Sequence, residues 1–372
     1  MISKRIVVKL GTSTLTAGTV HINRRRMLEI AQQVVTLRET GAEVILVSSG
    51  AIAAGRDKLG IGAASKPPAR AQAIPHKQML AAVGQVSLMM AWEQVFALFA
   101  TDVAQVLLTR DDLGDRQRYL NARNTINAIL ANGIVPIVNE NDAIATEEIR
   151  IGDNDNLSAL VANVADAELL LILSDIEGLY TSDPRKDPSA TLIKEVRVID
   201  DELRNRAGAS GSTLGTGGMS TKLQAAEHAM RAGITTVIAR GDHKHIMVEL
   251  VQGAQLGTRF IPMVDHLEGR KRWVLGEKPS GAVMVDAGAG RAIRTGRSLL
   301  AVGVRDVIGD FKSGEVIDVR DATTNIDLAR GIARCSSIDA RRMAGKKSAA
   351  VTELMGEASD AIIVHADDLV VL

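Results

Sequence analysis

Six apolar runs recur between residues 5 and 241, separated by stretches with helical spacing. They are RIVVKLG (5–11), EVILVSSG (43–50), VAQVLLT (103–109), IVPIVNE (134–140), ELLLILSD (168–175) and TTVIARG (235–241). Several are apolar without interruption instead of alternating, which is the signature of strands covered on both faces. Between them lie amphipathic stretches such as MLEIAQQVVTLRETG, closed by a glycine at Gly41. This predicts an α/β fold, an open and mostly parallel sheet sandwiched by helices. Ligands of such sheets collect at the carboxyl ends of the strands. The chemically suggestive residues do follow strands here: Lys9-Leu10-Gly11, Ser48-Ser49-Gly50, Asn139 to Asp142, and Ser174-Asp175.

With 372 residues the chain is too long for one ordinary core. The pattern breaks at PMVDHLEGRKRWVLGEKPSG (262–281), where charge, glycine and proline concentrate. We therefore expect a first domain over 1–262, a linker over 263–279, and a small, mostly β domain over 280–372. The strand-like pieces of the last part are GAVMVD, VIGDF, GEVIDVRD and AIIVHADDLVVL. The segment ASKPPARAQAIPH (64–76) reads as a polar, proline-bearing loop. Lys plus Arg and Asp plus Glu number 44 each, so no bulk charge calls for nucleic acid or a membrane surface. Aromatic residues make up only 2%, leaving few platforms on which bases could stack. The single cysteine, Cys335, allows no internal disulfide and no multi-cysteine metal site. No apolar run approaches the ~20 residues of a bilayer span. The N-terminus enters a strand pattern without an h-region, so a cytoplasmic protein is the expectation.

GTGGMSTKLQAA (215–226) places three glycines, three hydroxyls and a lysine ahead of an apolar helical pattern. It is not a P-loop, because Lys222 follows Gly218 by four residues and is itself followed by Leu223. Thr221-Lys222-Leu223-Gln224 reads as a capping box, with Gly233 stopping the helix. That puts Lys222 in a first helical turn, where the macrodipole disfavours a cation by ~0.3–1 kcal/mol. A bound phosphate would reverse that sign, while the plain alternative is a solvated lysine after a glycine-rich turn.

VVKLGTS (7–13) offers a second lysine, Lys9, at a strand end before a glycine turn. It reads either as a phosphate contact or as an edge-strand lysine reaching solvent, since burial strips a lysine's hydration. NENDAIA (139–145) and GDNDNLSA (152–159) are acidic and amide-rich. Asn154 or Asp155 suits an N-cap, yet the density of such residues exceeds what capping requires. The cluster suits an ammonium group, Mg²⁺ or the fixing of lysines. SSGAIAAG (48–55) suits the gripping of a carboxylate, or is simply a tight turn.

Taken in order, VVKLGTS, SSGAIAAGR, LAAVGQ, LLTRDD, YLNARNT, IVPIVNENDA, GDNDNLSALVA and LGTGGMSTKLQAA resemble the amino acid kinase family. The likeness is strongest to the branch that phosphorylates the γ-carboxylate of L-glutamate, at the start of proline synthesis. The tail resembles a PUA domain. The resemblance implies that Lys9 and Lys222 flank the phosphoryl group and that Asp155 orients both. It implies that Thr216, Gly217, Gly218, Met219, Ser220, Thr221 and Lys222 line the ATP phosphates, with Ser174 and Asp175 also at the nucleotide. Ser49, Asp142 and Asn154 would hold glutamate, Asp142 facing its ammonium group. It further implies Mg²⁺ as ATP's companion ion, proline as feedback inhibitor and a homo-oligomer. A γ-carboxylate is already nucleophilic at neutral pH, so positioning and positive charge suffice, without a general base. The 64–76 loop looks longer than its family counterpart and borders the acceptor, which bears on proline sensitivity. A reading of another class, RNA binding by the tail, finds 12 basic against 13 acidic residues over 280–372. Its densest cluster is Arg341, Arg342, Lys346 and Lys347.

Overall fold

The computed structural model describes residues 5–61, 74–145, 153–209, 218–262, 274–275, 277–355 and 361–372. The chain divides into two compact units, Met1–Val264 and Asp265–Leu372. Among the described residues no helix is long and apolar enough to cross a membrane.

In the first unit the six apolar runs become β1 (Arg5–Leu10), β2 (Glu43–Ser48), β3 (Val103–Leu108), β4 (Val135–Glu140), β5 (Leu169–Ser174) and β7 (Thr235–Arg240). Two short strands, β6 (Glu195–Val196) and β8 (Thr258–Phe260), complete an eight-stranded sheet of order β3-β4-β2-β1-β5-β7-β8-β6. Every pairing is parallel except β7 with β8. The chain runs from β1 outward to β2, whereas β5 adds on the other side of β1, so the topological switch point lies between β1 and β5. A crevice at the carboxyl ends of these two strands is where such a sheet admits a ligand.

The helices of this unit are α1 (Thr12–Thr16), α2 (Arg24–Glu39), α3 (Ala51–Lys58), α4 (Ile74–Ala97), α5 (Arg110–Gly114), α6 (Arg116–Ala131), α7 (Asp153–Val164), α8 (Asp201–Ala209), α9 (Met219–Arg231) and α10 (Ile246–Val251). The two sheet faces bury separate cores. Ile6, Val8 and Leu10 of β1 pack with Met27, Ile30 and Val34 of α2 and Trp92 of α4. Val7 faces the other core, with Val161 and Ala162 of α7 and Ala225 and Ala226 of α9. Because side chains alternate along a strand, Lys9 shares the parity of Val7 and the face of α7 and α9. The stretch 64–76 is not loop throughout: α4 begins at Ile74, with Pro75 in its first turn, where a missing N–H costs nothing. Residues 64–73 of that reading lie outside the described residues.

Helices α3 and α4 meet backbone to backbone. A Cβ on Gly84 of α4 would overlap the Ala51 carbonyl and the Gly55 amide nitrogen, and one on Gly55 would overlap the Leu80 carbonyl. Trp92 adds a bond from its indole N–H to the Ser48 hydroxyl, 3.0 Å. Gly50, between β2 and α3, has φ +106°, which disfavours any side chain there. The turn that carries Ser49 is thus clamped from below by α4.

The second unit is a six-stranded sheet of order β10-β14-β13-β12-β9-β11, made by β9 (Gly281–Val285), β10 (Leu299–Leu300), β11 (Val304–Gly309), β12 (Val316–Asp321), β13 (Asp327–Ala333) and β14 (Ile362–Val371). It also carries α11 (Ala287–Arg294), α12 (Ser337–Met343) and α13 (Ser348–Met355). Val274, within the stretch read as linker, is buried with Val316 and Ile332 of this unit.

Replacing Gly84 by alanine forces α3 from α4 and should cost about 1–3 kcal/mol. A lower thermal midpoint for Gly84→Ala is the expected result; an unchanged midpoint would contradict the close helix contact.

Candidate active site

The carboxyl ends of β1 and β5 and the N-terminal turns of α7 and α9 converge on Asp155. Its side chain is fully buried, and each oxygen meets a lysine: Lys9 Nζ lies 2.6 Å from Oδ1 and Lys222 Nζ 3.2 Å from Oδ2. The Thr221 hydroxyl donates to Oδ2 at 2.7 Å. Both lysines are nearly inaccessible, at 6% and 4% exposure, which separates this cluster from an ordinary surface ion pair. The sequence explains the convergence. Asp155, Ser158, Ala162 and Ala165 recur at helical spacing and are all buried, as are Lys222, Ala226 and Ala229. Alanines below the charged residues let the two helices approach closely.

Three expectations change here. Lys9 is not an edge-strand lysine, since β1 is paired on both sides, with β2 and β5. Asn154 and Asp155 are not N-caps but residues of the first turn of α7. The capping box at Thr221 is absent: α9 starts at Met219 after Gly218, and Thr221 spends its hydroxyl on Asp155. For Asn154, Asp155 and Thr221 a tertiary partner outcompetes the local capping interaction that the sequence pattern suggests.

The electrostatics follow from burial. Burial by itself pushes Asp155 up, but the charges of Lys9 and Lys222 and the Thr221 hydroxyl outweigh it and hold the carboxyl below its ordinary range. Lys222 is pushed below the ordinary lysine range, first by burial and also by the nearby Lys9, with Asp155 opposing. The cluster thus sets two lysine side chains against one carboxylate away from water.

Beside this cluster runs a line of amides. Asn154, next to Asp155 in α7, donates from Nδ2 to the Ser49 hydroxyl at 2.9 Å and to Asn139 Oδ1 at 3.0 Å. Asn139, buried at the end of β4, donates in turn to Gln85 Oε1 of α4 at 2.8 Å. Ser174 and Asp175 close β5, the Ser174 hydroxyl donating to Asp175 Oδ1 at 3.0 Å. Asp142 sits half-buried on the turn after β4. Gly218, Met219 and Ser220 open α9, while Thr216 and Gly217 lie outside the described residues. The structure therefore joins Lys9, Asp155, Thr221 and Lys222 in one cluster, and Ser49 and Asn154 in an adjoining one. Sequence reasoning placed Asn139 only within an amide-rich cluster and gave no role to Gln85, although it lies inside the LAAVGQ motif; their partners are 15 and 54 residues away.

Helix caps divide in the same way. α2, α5 and α6 are capped by the side chains of Asn23, Thr109 and Asp115. α1, α3 and α9 open at the site on Gly11, Gly50 and Gly218, with no side-chain cap. Their first N–H groups are left to other acceptors.

Comparison with known proteins agrees with this geometry. The amino acid kinase family model matches residues 4–240, and a PUA domain model matches 281–355. The chain belongs to the amino acid kinase family. It is 53% identical over 371 residues to a protein of Vibrio vulnificus (strain YJ016) named glutamate 5-kinase, covering 99% of this chain and 96% of that one. It is 50% identical over 372 residues to the glutamate 5-kinase of Aliivibrio fischeri (strain ATCC 700601 / ES114), covering 100% and 99%. In the PUA-matched unit, Arg341 donates to the Gly309 carbonyl at 2.6 Å and Arg342 lies 3.9 Å from Asp339, so two of the four clustered cations have partners within the unit.

Asparagine in place of Asp155 would leave two buried like charges, a loss of about 3–5 kcal/mol. The sign with pH is fixed by the depressed carboxyl. The wild type keeps this stabilisation above ~pH 3.9 and loses it as pH falls through the lower folded value. Thermal melts from pH 4 to 8 should show Asp155→Asn well below the wild type throughout. Equal melting temperatures at neutral pH would contradict the triad.

Proposed function

We propose that this protein transfers the γ-phosphoryl group of ATP to the γ-carboxylate of L-glutamate, giving glutamyl 5-phosphate for proline synthesis. The observation that carries the reading is the buried Lys9–Asp155–Lys222 cluster at the switch point of the sheet. Near-full-length similarity to proteins named glutamate 5-kinase supports the acceptor.

Phosphoryl transfer develops little covalent chemistry at the protein; it demands alignment and charge. Lys9 and Lys222, held apart by one carboxylate, present a surplus positive charge to the group moving between nucleotide and acceptor. Lys222 sits against the dipole of its own helix, a position that a phosphate makes favourable because the uncapped α9 N-terminus then faces the same anion. Residues Thr216 to Lys222, with Ser174 and Asp175, are assigned to the nucleotide. Ser49, Asp142 and Asn154 are assigned to glutamate, Asp142 toward the ammonium group. Mg²⁺ would arrive on the phosphate oxygens of ATP and add charge neutralisation there. Proline, as a glutamate-like inhibitor, and a homo-oligomeric state belong to the same proposal.

An ATP-dependent hydroxamate assay with glutamate, aspartate and N-acetylglutamate tests the reaction, since hydroxylamine traps an acyl phosphate. Product is expected with glutamate; product with either rival instead would overturn the acceptor. Lys222→Ala should lower kcat by about 10²–10³-fold with glutamate affinity little changed. Wild-type turnover in that variant would remove Lys222 from the reaction.

A further inference from the structure

The line of amides beside Asp155 has a fixed polarity, and its origin is the main chain. The Glu140 backbone N–H donates to Asn139 Oδ1 at 2.9 Å, so the Asn139 carboxamide cannot turn over without abandoning that bond. With Oδ1 committed, Asn139 Nδ2 must find an acceptor, and it takes Gln85 Oε1. The orientation is passed on in both directions. Asn154 has to direct Nδ2 at Asn139 and Ser49, which leaves Asn154 Oδ1 buried without a hydrogen-bond partner among the described residues. Gln85 has to direct Oε1 at Asn139, which leaves Gln85 Nε2 buried, likewise without a partner among the described residues. One end of the line is thus an acceptor in want of a donor, and the other a donor in want of an acceptor.

Buried amide atoms of this kind are costly, and natural structures retain few. A pair of opposite polarity at the two ends of one bonded line, inside an acceptor site, matches a zwitterion: an ammonium group for the oxygen and a carboxylate for the N–H. The order along the line says which carboxylate. Asn154 adjoins Asp155 and the two lysines, where the reacting carboxylate belongs. Gln85 stands two links further from them.

We propose that Gln85 is a further substrate-binding residue, whose Nε2 donates a hydrogen bond to the α-carboxylate of the amino-acid acceptor. The inference rests on the proposed glutamate kinase reaction. Gln85 sits in the middle of α4, the helix that also clamps the Ser49 turn through Gly84 and Trp92. One rigid element thereby places both carboxylate-directed groups.

Two variants separate a direct contact from a merely structural one. Gln85→Glu keeps an acceptor for Asn139 Nδ2 but turns the substrate-facing donor into an oxygen. Gln85→Met removes both. A direct contact predicts that both raise the KM for glutamate, on the order of ten- to a hundredfold. The KM for ATP should stay within about twofold, and the Gln85→Glu penalty should grow with pH as the introduced carboxyl ionises. With the α-amide of glutamate, which lacks the second carboxylate, that penalty should shrink. A wild-type KM in Gln85→Glu beside a raised one in Gln85→Met would reduce Gln85 to a support for Asn139 and overturn the proposal. So would a penalty undiminished with the α-amide. Wild-type protein that makes no glutamyl hydroxamate would instead overturn the reaction on which the inference rests.

Discussion

One carboxylate without access to water, Asp155, holds two lysines together in the interior of the protein. Isolated, each of the three groups would be expensive to bury; together they form a cluster whose position is fixed from three elements. Much of the architecture serves that arrangement. β1 has to be a central strand so that Lys9 reaches the interior at its end. α7 and α9 have to meet over alanines so that Asp155 and Thr221 can bond. α9 has to begin on an uncapped glycine so that its N-terminus remains available to an anion.

The neighbouring amide line works by dipoles instead of charge. Adjacent residues of one helical turn, Asn154 and Asp155, belong to the two systems, so α7 holds the amide line and the lysine cluster in fixed register. On the proposed reading, lysines stabilise what changes during the reaction and amides recognise what does not. Such a division suits a transfer in which alignment supplies most of the rate.

The long strands were legible because they are buried on both faces, and a continuous apolar run such as LLLILS has few other uses. β6 and β8, two and three residues long, carry too little pattern to be read. Strand order is absent from periodicity, which is why Lys9 admitted an edge reading until β5 was seen beside β1. Helix starts were misplaced where Asp, Asn and Thr have two uses. Asn154 and Thr221 look like caps locally, but long-range partners, 105 residues away at Ser49 and 66 at Asp155, claim their side chains. Family motifs located the cluster around Asp155 far better than spacing did. Gln85 stayed hidden because a glutamine in a helix carries no local signal, and its meaning comes only from Asn139.

The central claim is that the two lysines act on the phosphoryl group in flight and not on bound nucleotide in general. The most direct measurement is the affinity of the protein, with glutamate present, for ADP alone and for ADP with aluminium fluoride, which imitates the planar group between donor and acceptor. In the wild type the fluoride complex should bind much more tightly than ADP. In Lys9→Met and Lys222→Met most of that added affinity should disappear while ADP binding changes little. An added affinity that survives both substitutions, or ADP binding that falls in equal measure, would contradict the account.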